Sequence, residues 1–430
     1  MLNTRDIALS ILMDVDNNKT FSNIATTKAL RQNQFSDKVE RAFLTRLAEG
    51  TIEYQIRLDY VLDSFSKTKM KKCKPLIRNV LRMGAYQILF MDTVPDSAAC
   101  NECVKLVKKH GFASLSGFVN GVLRNVSRNK NNIKYPDYET EKIDYLSIYY
   151  STPRWLVEKI ISDYPKEGEQ IIKASYIDRK TTIRVNENKI LVEDFAKQLL
   201  DKGINVAKGN YSKKALCIDN YDFVRRIPGY REGYFTVQDE SSMCAIEAAG
   251  IKEGYRIIDV CAAPGGKTTA AAEMLNGTGS IISMDLSSDK LSLIEENVNR
   301  LGFDNITVAE HDARELIEDY IEQMDLVIAD VPCSGLGIIG RKNDIKYRLT
   351  EKQLKELVEL QRQILSTAHR YVKKGGTLLF STCTINKEEN YENVKWFLAN
   401  HPEFKMESQR LFLQGVDKCD GFYYAVIKHQ

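Results

Sequence analysis

The C-terminal half of this 430-residue chain alternates short apolar runs with longer helical segments, which constrains its fold more than any other feature. The apolar runs lie at 256–260, 281–284, 306–308, 326–329 and 377–380. Strands that are almost entirely apolar, separated by stretches long enough for a crossover helix, are typical of a parallel sheet covered on both faces. The sequence therefore predicts an α/β domain with a mostly parallel sheet.

The first 130 or so residues have the apolar periodicity of helices instead. Pro75 can begin one helix, because its missing N–H is not needed in the first turn. Asp96 or Ser97 can cap the next helix, and Gly111 can end it. We therefore predict an all-α bundle at the N-terminal end.

A small α/β unit is predicted between these two regions. Residues 181–185 and 204–207 read as strands, and 192–200 read as an amphipathic helix between them. A chain of this length also exceeds one ordinary core. We expect three domains, with these limits: a helical domain at 1–140, a small α/β domain at 150–233 and the larger α/β domain at 234–430.

Composition narrows the class of protein. The chain is 43% hydrophobic but has no run near the ~20 apolar residues that cross a bilayer, and it begins without a signal-like segment. Its nine cysteines favour free thiols over a disulfide framework. Cys100 and Cys103 form a lone C-x-x-C without a second ligand pair, which argues against zinc. We expect a cytoplasmic protein that binds no membrane and no metal.

Positive charge is concentrated in the N-terminal region. Residues 1–150 contain 23 Lys and Arg against 16 Asp and Glu, although the whole chain has a net charge of only +3. Five lysines cluster between two predicted helices: Lys67, Lys69, Lys71, Lys72 and Lys74. Such a cluster is suited to phosphate contacts but is weak evidence for nucleic acid by itself.

Polar and glycine residues follow successive strands of the predicted parallel sheet. Gly265, Gly266 and Lys267 follow the first strand and begin a helix, where backbone N–H groups can approach a ligand closely. Asp285 ends the second strand, where an acidic side chain commonly binds ribose hydroxyls. Asp312 follows the third strand and Asp330 ends the fourth, so a nucleotide-type ligand is predicted at the carboxyl ends of the strands.

Two cysteines also follow predicted strands: Cys333, within 330–335, and Cys383, within 381–384. A thiolate can add to an electron-poor ring and make the neighbouring carbon nucleophilic, but a second group must then help the ring to be released. Buried cysteines are common and inert in many proteins. Their placement beside the glycine-rich loop is what favours covalent chemistry here.

The segments 259–269, 330–335 and 381–384 resemble the motif set of the Nop/Sun family of RNA cytosine-5 methyltransferases, and the helical bundle resembles a NusB-like RNA-binding domain. Asp344-Ile345-Lys346 and the late segment Asp420-Gly421-Phe422-Tyr423 are similar to further family segments. The resemblance implies a multidomain protein: an all-α NusB-like bundle, a small α/β (RRM-like) middle domain and a Rossmann-like class I methyltransferase domain. The pairing of these modules is characteristic of bacterial family members that act on 16S ribosomal RNA.

The resemblance also implies roles for individual residues. The cofactor would be S-adenosylmethionine, and the expected cofactor-binding residues are Cys261, Ala262, Ala263, Pro264, Gly265, Gly266, Lys267, Asp285, Asp312 and Asp330. Cys383 would be the nucleophile, and Cys333 would assist release of the product. The expected partner is 16S ribosomal RNA or a small-subunit assembly intermediate, bound by a monomer.

Two other classes of function stay open at this stage. A non-enzymatic RNA-binding or antitermination factor would explain the NusB-like bundle but not the glycine-rich loop or the cysteine motifs. A methyltransferase for a small molecule or a protein would explain those motifs but not the basic N-terminal region. The RNA cytosine-5 methyltransferase accounts for both.

Overall fold

The computed structural model describes residues 3–33, 38–177 and 180–430. The chain forms two compact units: Met1–Tyr176 with Ile339–Arg348, and Ile177–Ile338 with Leu349–Gln430. No helix within the described ranges is long and apolar enough to cross a membrane. None of the nine cysteines, all of which lie in the described ranges, forms a disulfide.

The described residues before 177 form helices and no strand, and the helices predicted for the first 130 or so residues are confirmed. The helices are α1 (Thr4–Asn17), α2 (Ser22–Asn33), α3 (Lys38–Glu53), α4 (Gln55–Phe65), α5 (Pro75–Phe90), α6 (Asp96–Lys109), α7 (Ser116–Asn129), α8 (Lys142–Tyr149), α9 (Arg154–Asp163) and α10 (Gly168–Ala174).

Helix α5 begins at Pro75, as its sequence predicts, and its apolar face is buried in the core of the first unit. The predicted cap of α6 is wrong, because Pro95 precedes the helix and Asp96 is its first residue. The Asp96 carboxylate accepts a hydrogen bond from the Ser127 hydroxyl at 2.7 Å. An acidic side chain in the first turn is also favoured by the helix dipole.

The rest of the chain alternates strands and helices. In the first part these are β1 (Thr181–Val185), α11 (Val192–Asp201), β2 (Asn205–Lys208), β3 (Ala215–Asp219), β4 (Phe235–Val237), α12 (Glu240–Ala248), β5 (Arg256–Asp259), α13 (Gly266–Leu275), β6 (Ser280–Asp285), α14 (Ser288–Leu301), β7 (Ile306–Glu310) and β8 (Met324–Asp330). The remainder are α15 (Ile345–Arg348), α16 (Glu351–Ala368), β9 (Val372–Thr382), α17 (Tyr391–Asn400), β10 (Phe404–Phe412) and β11 (Phe422–His429).

Helix α15 is part of the first unit. The buried Asp344 carboxylate accepts hydrogen bonds from the Ser22 backbone N–H at 3.1 Å and its hydroxyl at 2.9 Å. Lys346 is only 1% exposed and donates to the Tyr176 hydroxyl at 2.7 Å. The segment that resembles a family motif, Asp344 to Lys346, is therefore fixed in the helical unit by buried polar contacts.

Two sheets form the second unit. The small sheet is antiparallel with strand order β2-β3-β1-β4, and the large sheet has the order β10-β11-β9-β8-β5-β6-β7. Strands β5 to β9 are parallel, whereas β11 pairs antiparallel with both β9 and β10. All five strands predicted for the parallel sheet are confirmed, and two apolar clusters cover its faces.

A buried arginine joins the small sheet to the glycine-rich loop. Arg184 on β1 is paired with Glu273 on α13, and their side chains are only 3% and 1% exposed. The guanidinium also donates to the Gly266 carbonyl at 2.9 Å and the Thr269 hydroxyl at 3.1 Å, and it bonds the Gln238 side chain. Since a buried charge is costly unless it is paired, this cluster fixes the start of α13.

We expect Arg184→Met to lower the free energy of unfolding by about 3–5 kcal/mol, because it leaves the Glu273 carboxylate buried without its cation. The double variant Arg184→Met/Glu273→Leu should recover most of this loss, since it removes both charges. Urea unfolding followed by circular dichroism measures the effect. A single variant as stable as the wild type would contradict the argument.

Candidate active site

The order of the large sheet reverses between β5 and β8, which places a crevice at their carboxyl ends. A cavity of about 210 Å³ lies there. The predicted site residues that line it are Cys261, Ala262, Ala263, Pro264, Gly266, Lys267, Asp330 and Cys383. The structure thus brings together the glycine-rich loop, the end of the fourth strand and one of the two cysteines.

The glycine-rich loop turns sharply into helix α13. Gly265 has a φ of 94°, a left-handed conformation that side chains rarely adopt. A Cβ at this position would also lie 3.4 Å from the Ile294 backbone. The turn directs the N-terminal N–H groups of the helix toward the cavity, where they favour the negative end of a ligand.

Asp259 at the end of β5 is fully buried and lines the same cavity. Oδ2 accepts from the Thr268 hydroxyl at 2.7 Å, but Oδ1 has no hydrogen-bond partner among the described residues. Burial raises the pKa of Asp259 to about 7, and the neighbouring Asp330 contributes to the increase. A buried hydrogen-bond acceptor without a partner is rare in folded proteins. A ligand in the cavity that carries a donor group would supply the missing hydrogen bond.

Lys267 and Asp330 form an ion pair at the edge of the cavity, with 2.6 Å between Nζ and Oδ2. The other Asp330 oxygen accepts from the Ser381 hydroxyl at 2.7 Å. Lys267 also lies 4.9 Å from the centre of the Phe422 ring. These contacts fix the Asp330 carboxylate between the glycine-rich loop and strand β9, which carries Ser381.

Asp285 and Asp312 do not line the cavity itself. The Asp285 carboxylate accepts from the Ala263 backbone N–H at 3.0 Å and from the Lys290 ammonium at 2.8 Å, so it braces the glycine-rich loop. Asp312 pairs with Arg314, whose hydrogen bonds lower the pKa of Asp312 to about 2. Their roles in binding a cofactor stay predictions.

The two predicted cysteines are in direct contact, with 3.2 Å between the sulfur atoms of Cys333 and Cys383. This hydrogen bond, together with burial, raises the pKa of the Cys333 thiol well above its ordinary value. Cys333 therefore keeps its proton at neutral pH and can donate it in a hydrogen bond to the Cys383 sulfur. Such a donor favours the thiolate form of Cys383.

A buried polar network holds the two cysteine loops together. The Glu389 carboxylate accepts from the Ser334 backbone N–H and the Gln361 amide, both at 2.9 Å. The Ser334 and Thr384 hydroxyls lie 2.7 Å apart, so the residues that follow the two cysteines are linked directly. The sulfur–sulfur contact thus rests on several hydrogen bonds that flank it.

Gly337 lies where the loop after Cys333 passes two other segments. Its N–H donates to the Cys383 carbonyl at 3.1 Å, and its carbonyl accepts from the Gly421 N–H at 2.9 Å. A Cβ on Gly337 would lie 1.9 Å from the Gly421 carbonyl oxygen. Only glycine fits this crossing without displacing the backbone.

Several cavity residues were not predicted as site residues. Asp259 is an acidic residue near the end of a predicted strand. The same signal identified Asp285 and Asp330, so the sequence could have indicated Asp259 as a site residue. Gln238 and Asp239 follow the short strand β4, and Phe422 begins the last strand. Phe422 belongs to the segment 420–423 that resembles a family motif, whereas no local pattern marks Gln238 or Asp239, which only the folded chain brings to the glycine-rich loop.

A separate group of metal-type ligands lies away from the cavity. Atoms of His369, His401 and Glu403 that could bind a metal ion lie within 4.8 Å of one another. The two imidazole rings are 4.1 Å apart, His369 also contacts the Leu365 carbonyl, and His401 pairs with Glu403 at 3.4 Å. The contact between the two imidazole rings and the pairing of His401 with Glu403 explain why these three side chains lie close together.

A mostly parallel sheet with a glycine-rich loop after its first strand and a cavity where the strand order reverses defines a Rossmann-like domain that can bind a nucleotide-type ligand. Family models match three successive parts of the chain: the NusB family at residues 2–128, the ferredoxin-like domain of RsmF/B-like methyltransferases at 152–224, and 16S rRNA methyltransferase RsmB/F at 248–428. The predicted fold class is confirmed for all three parts.

Full-length relatives agree with these matches. A probable ribosomal RNA small subunit methyltransferase B from Bacillus subtilis is 37% identical over 93% of this chain and 89% of its own length. The methyltransferase B of Vibrio cholerae is 30% identical over 100% of this chain and 98% of its own. The crystal structure of PH0851 is 26% identical and has a TM-score of 0.85, covering 100% of this chain and 99% of the other. The chain belongs to the RsmB/F family of 16S rRNA methyltransferases.

The raised pKa of Asp259 predicts a specific dependence of stability on pH. The native state holds this proton up to about pH 7, whereas the unfolded chain loses it near its ordinary pKa of about 3.9. Because the unfolded chain ionises over this range while the native state keeps its proton, stability falls as the pH rises from about 4 to 7, by about 4 kcal/mol in total.

We expect Asp259→Asn to remove this loss, so its free energy of unfolding should rise relative to the wild type between pH 5 and pH 8. Urea unfolding of both proteins at several pH values measures the difference, and Asp289→Asn, an exposed acid on α14, is the matched control. A difference that does not change with pH would show that Asp259 ionises without cost in the native protein.

Proposed function

We propose that this protein transfers a methyl group from S-adenosylmethionine to carbon 5 of a cytosine in 16S ribosomal RNA, through a covalent bond between Cys383 and the base. The observation that carries the proposal is the 3.2 Å contact between the Cys333 and Cys383 sulfur atoms beside the cavity of the glycine-rich loop. The NusB-family region and the names of the relatives support RNA as the substrate.

The residues around the cavity fit S-adenosylmethionine. The cofactor's ammonium group is a donor for the unpartnered Oδ1 of Asp259, and the N-terminal N–H groups of α13 suit its carboxylate. We propose that the loop from Cys261 to Lys267 holds the methionine part, with Asp285 at the ribose and Asp312 at the adenine. When bound, S-adenosylmethionine supplies an electrophilic methyl group.

Cys383 begins the reaction in this proposal. Its thiolate forms a bond to carbon 6 of the cytosine, which makes carbon 5 nucleophilic. An ordinary cysteine is mostly protonated at neutral pH, so Cys383 needs stabilisation of its thiolate. The Cys333 S–H, which keeps its proton because its pKa is raised, supplies a hydrogen bond to that sulfur.

Cys333 also has a role at the end of the reaction. After carbon 5 is methylated, a base removes its proton, and the bond between Cys383 and carbon 6 breaks with the electron pair returning to sulfur. The Cys333 S–H can then donate to the departing Cys383 sulfur and so assist its release. Asp330, fixed by Lys267 and Ser381, would border both cofactor and base.

The target cytosine must be unpaired or flipped out, because carbon 6 is not accessible within a stacked helix. We propose that the helical region 1–140 binds the RNA, that 150–233 links it to the methyltransferase domain, and that 234–430 performs the reaction. The exposed lysines from Lys67 to Lys74 support this division. We further propose a cytoplasmic monomer acting on 16S ribosomal RNA or on a small-subunit assembly intermediate.

The two thiols should differ in their effects. Cys383→Ala should abolish both methylation and the covalent RNA adduct, because it removes the sulfur that is proposed to bond carbon 6. Cys333→Ala keeps the nucleophile and should still attack, although more slowly because the hydrogen bond to the Cys383 sulfur is lost. Release of the product should be slowed further, so a protein–RNA complex that survives denaturation should accumulate. A denaturing gel of each variant with 16S RNA and S-adenosylmethionine measures both. An adduct with Cys383→Ala and none with Cys333→Ala would reverse the assignment.

Asp285→Ala should weaken S-adenosylmethionine binding, because it removes the carboxylate proposed for the ribose and also the acceptor of the Ala263 N–H. Loss of charge-assisted hydrogen bonds of this kind costs roughly 1.5–3 kcal/mol. Titration calorimetry measures the affinity, and Asp289→Ala, which removes a nearby exposed carboxylate, should leave it unchanged. An unaltered affinity in Asp285→Ala would remove Asp285 from the site.

A further inference from the structure

The two thiols beside the cavity are placed so that they could bond to each other. The Cys333 and Cys383 sulfur atoms lie 3.2 Å apart, and neither cysteine forms a disulfide in this structure. Both residues are partly exposed, and Cys383 lines the cavity. The pair is therefore accessible to a small reagent, and rotation of the two side chains is enough to bring the sulfur atoms into bonding distance.

The strands that precede the two cysteines hold this contact in place. Strands β8 and β9 are parallel neighbours, with Asp330 opposite Ser381. The Val331 N–H donates to the Ser381 carbonyl at 3.1 Å, which continues the pairing toward the cysteines. Cys333 follows three residues after Asp330, and Cys383 follows two residues after Ser381. Because the two backbones are fixed side by side, the sulfur atoms are held within reach of each other.

The two thiols differ in their reactivity. Peroxides react with thiolates in preference to thiols, and the Cys333 S–H favours the thiolate form of Cys383. Cys333 keeps its own proton, because the contact with Cys383 and burial raise its pKa well above the ordinary value. A reactive thiolate with a second thiol beside it is typical of cysteines that are oxidised reversibly.

We propose that Cys333 and Cys383 form a site of reversible oxidation, at which hydrogen peroxide converts the two thiols into a disulfide. The bond occupies both the sulfur that attacks the cytosine and the S–H that assists its release, so the oxidised protein does not methylate RNA. Formation of the disulfide depends only on the two thiols, whereas the loss of activity rests on the proposed function. Disulfides of cytoplasmic proteins are usually transient and catalytic or redox-sensing, which agrees with a reversible switch.

The oxidation proceeds in two steps. The Cys383 thiolate attacks one peroxide oxygen, the O–O bond breaks, and the departing hydroxide is protonated to water, which leaves a sulfenic acid on Cys383. The Cys333 sulfur then attacks the Cys383 sulfur, the S–O bond breaks, and the Cys333 proton leaves with that oxygen as a second water. Two thiols and one peroxide thus give one disulfide and two waters. Because the sulfenic acid is neutral, the negative charge beside Cys333 is lost, which makes this thiol easier to deprotonate.

The test uses the full-length wild-type protein, which is treated with hydrogen peroxide, alkylated and digested with trypsin without a reductant. Trypsin releases Cys333 in residues 315–341 and Cys383 in residues 375–387, and each of these peptides contains a single cysteine. Mass spectrometry should find the two peptides joined and lighter by two hydrogen atoms than their sum. Methylation activity should fall in proportion to the joined fraction, and dithiothreitol should separate the peptides and restore the activity.

Cys333→Ser removes the second thiol but keeps a hydroxyl donor of similar size. Without its partner, Cys383 in this variant should be oxidised further to sulfinic acid, which dithiothreitol does not reverse. Cys73→Ser is the matched control, because Cys73 is a partly exposed cysteine of the helical unit whose sulfur contacts the Lys69 carbonyl at 3.8 Å. It should give the same joined peptides as the wild type. Wild-type protein in which Cys383 is oxidised directly to sulfinic acid, or in which both thiols stay reduced, would overturn the proposal.

The two proposals fail in different ways. Joined peptides from a protein that methylates no RNA before oxidation would overturn the proposed function and leave the oxidation site intact. Normal methylation by a protein whose two peptides are never joined after peroxide treatment would overturn the oxidation site and leave the function intact. Full methylation by protein in which the peptides are joined would overturn both the switch and the role of Cys383 as the nucleophile.

Discussion

The contact between the two cysteine sulfurs depends on the buried Glu389 carboxylate. Glu389 receives hydrogen bonds from the loop after Cys333 and from helix α16 through Gln361, while the Ser334 and Thr384 hydroxyls link the two loops directly. Because these groups are buried, each lost hydrogen bond would leave a polar atom without a partner. The network therefore fixes the sulfur atoms at 3.2 Å, close enough for one thiol to stabilise the other thiolate.

The ion pair and the buried carboxyl beside the glycine-rich loop differ in their state of ionisation. Lys267 and Asp330 compensate each other as an ion pair, so both can be charged beside the cavity. Asp259 lies deeper, has one unpartnered oxygen and holds its proton up to about pH 7. A site of this kind is adapted to a ligand that brings its own positive charge, since such a ligand would favour the ionised carboxyl.

The sequence by itself determined the elements and the motif positions of this protein. Periodicity located the five parallel strands and helix α5 at Pro75, because local patterns of apolar residues decide which face of an element is buried. Strand ends located Lys267, Asp330 and Cys383, since parallel strands carry their carboxyl ends to one edge of the sheet. The cap of α6 was misplaced by one residue, because Pro95 and Asp96 are both compatible with a helix start.

Only the tertiary structure decided what those residues touch. It separated Asp285 and Asp312 from the cavity wall and brought Gln238, Asp239 and Phe422 to it from distant segments. It also brought Glu389 into hydrogen bonds with Ser334, which follows Cys333, and with Asn386, which lies shortly after Cys383. Contacts between residues far apart in the chain depend on how complete elements pack, and no local pattern records that packing.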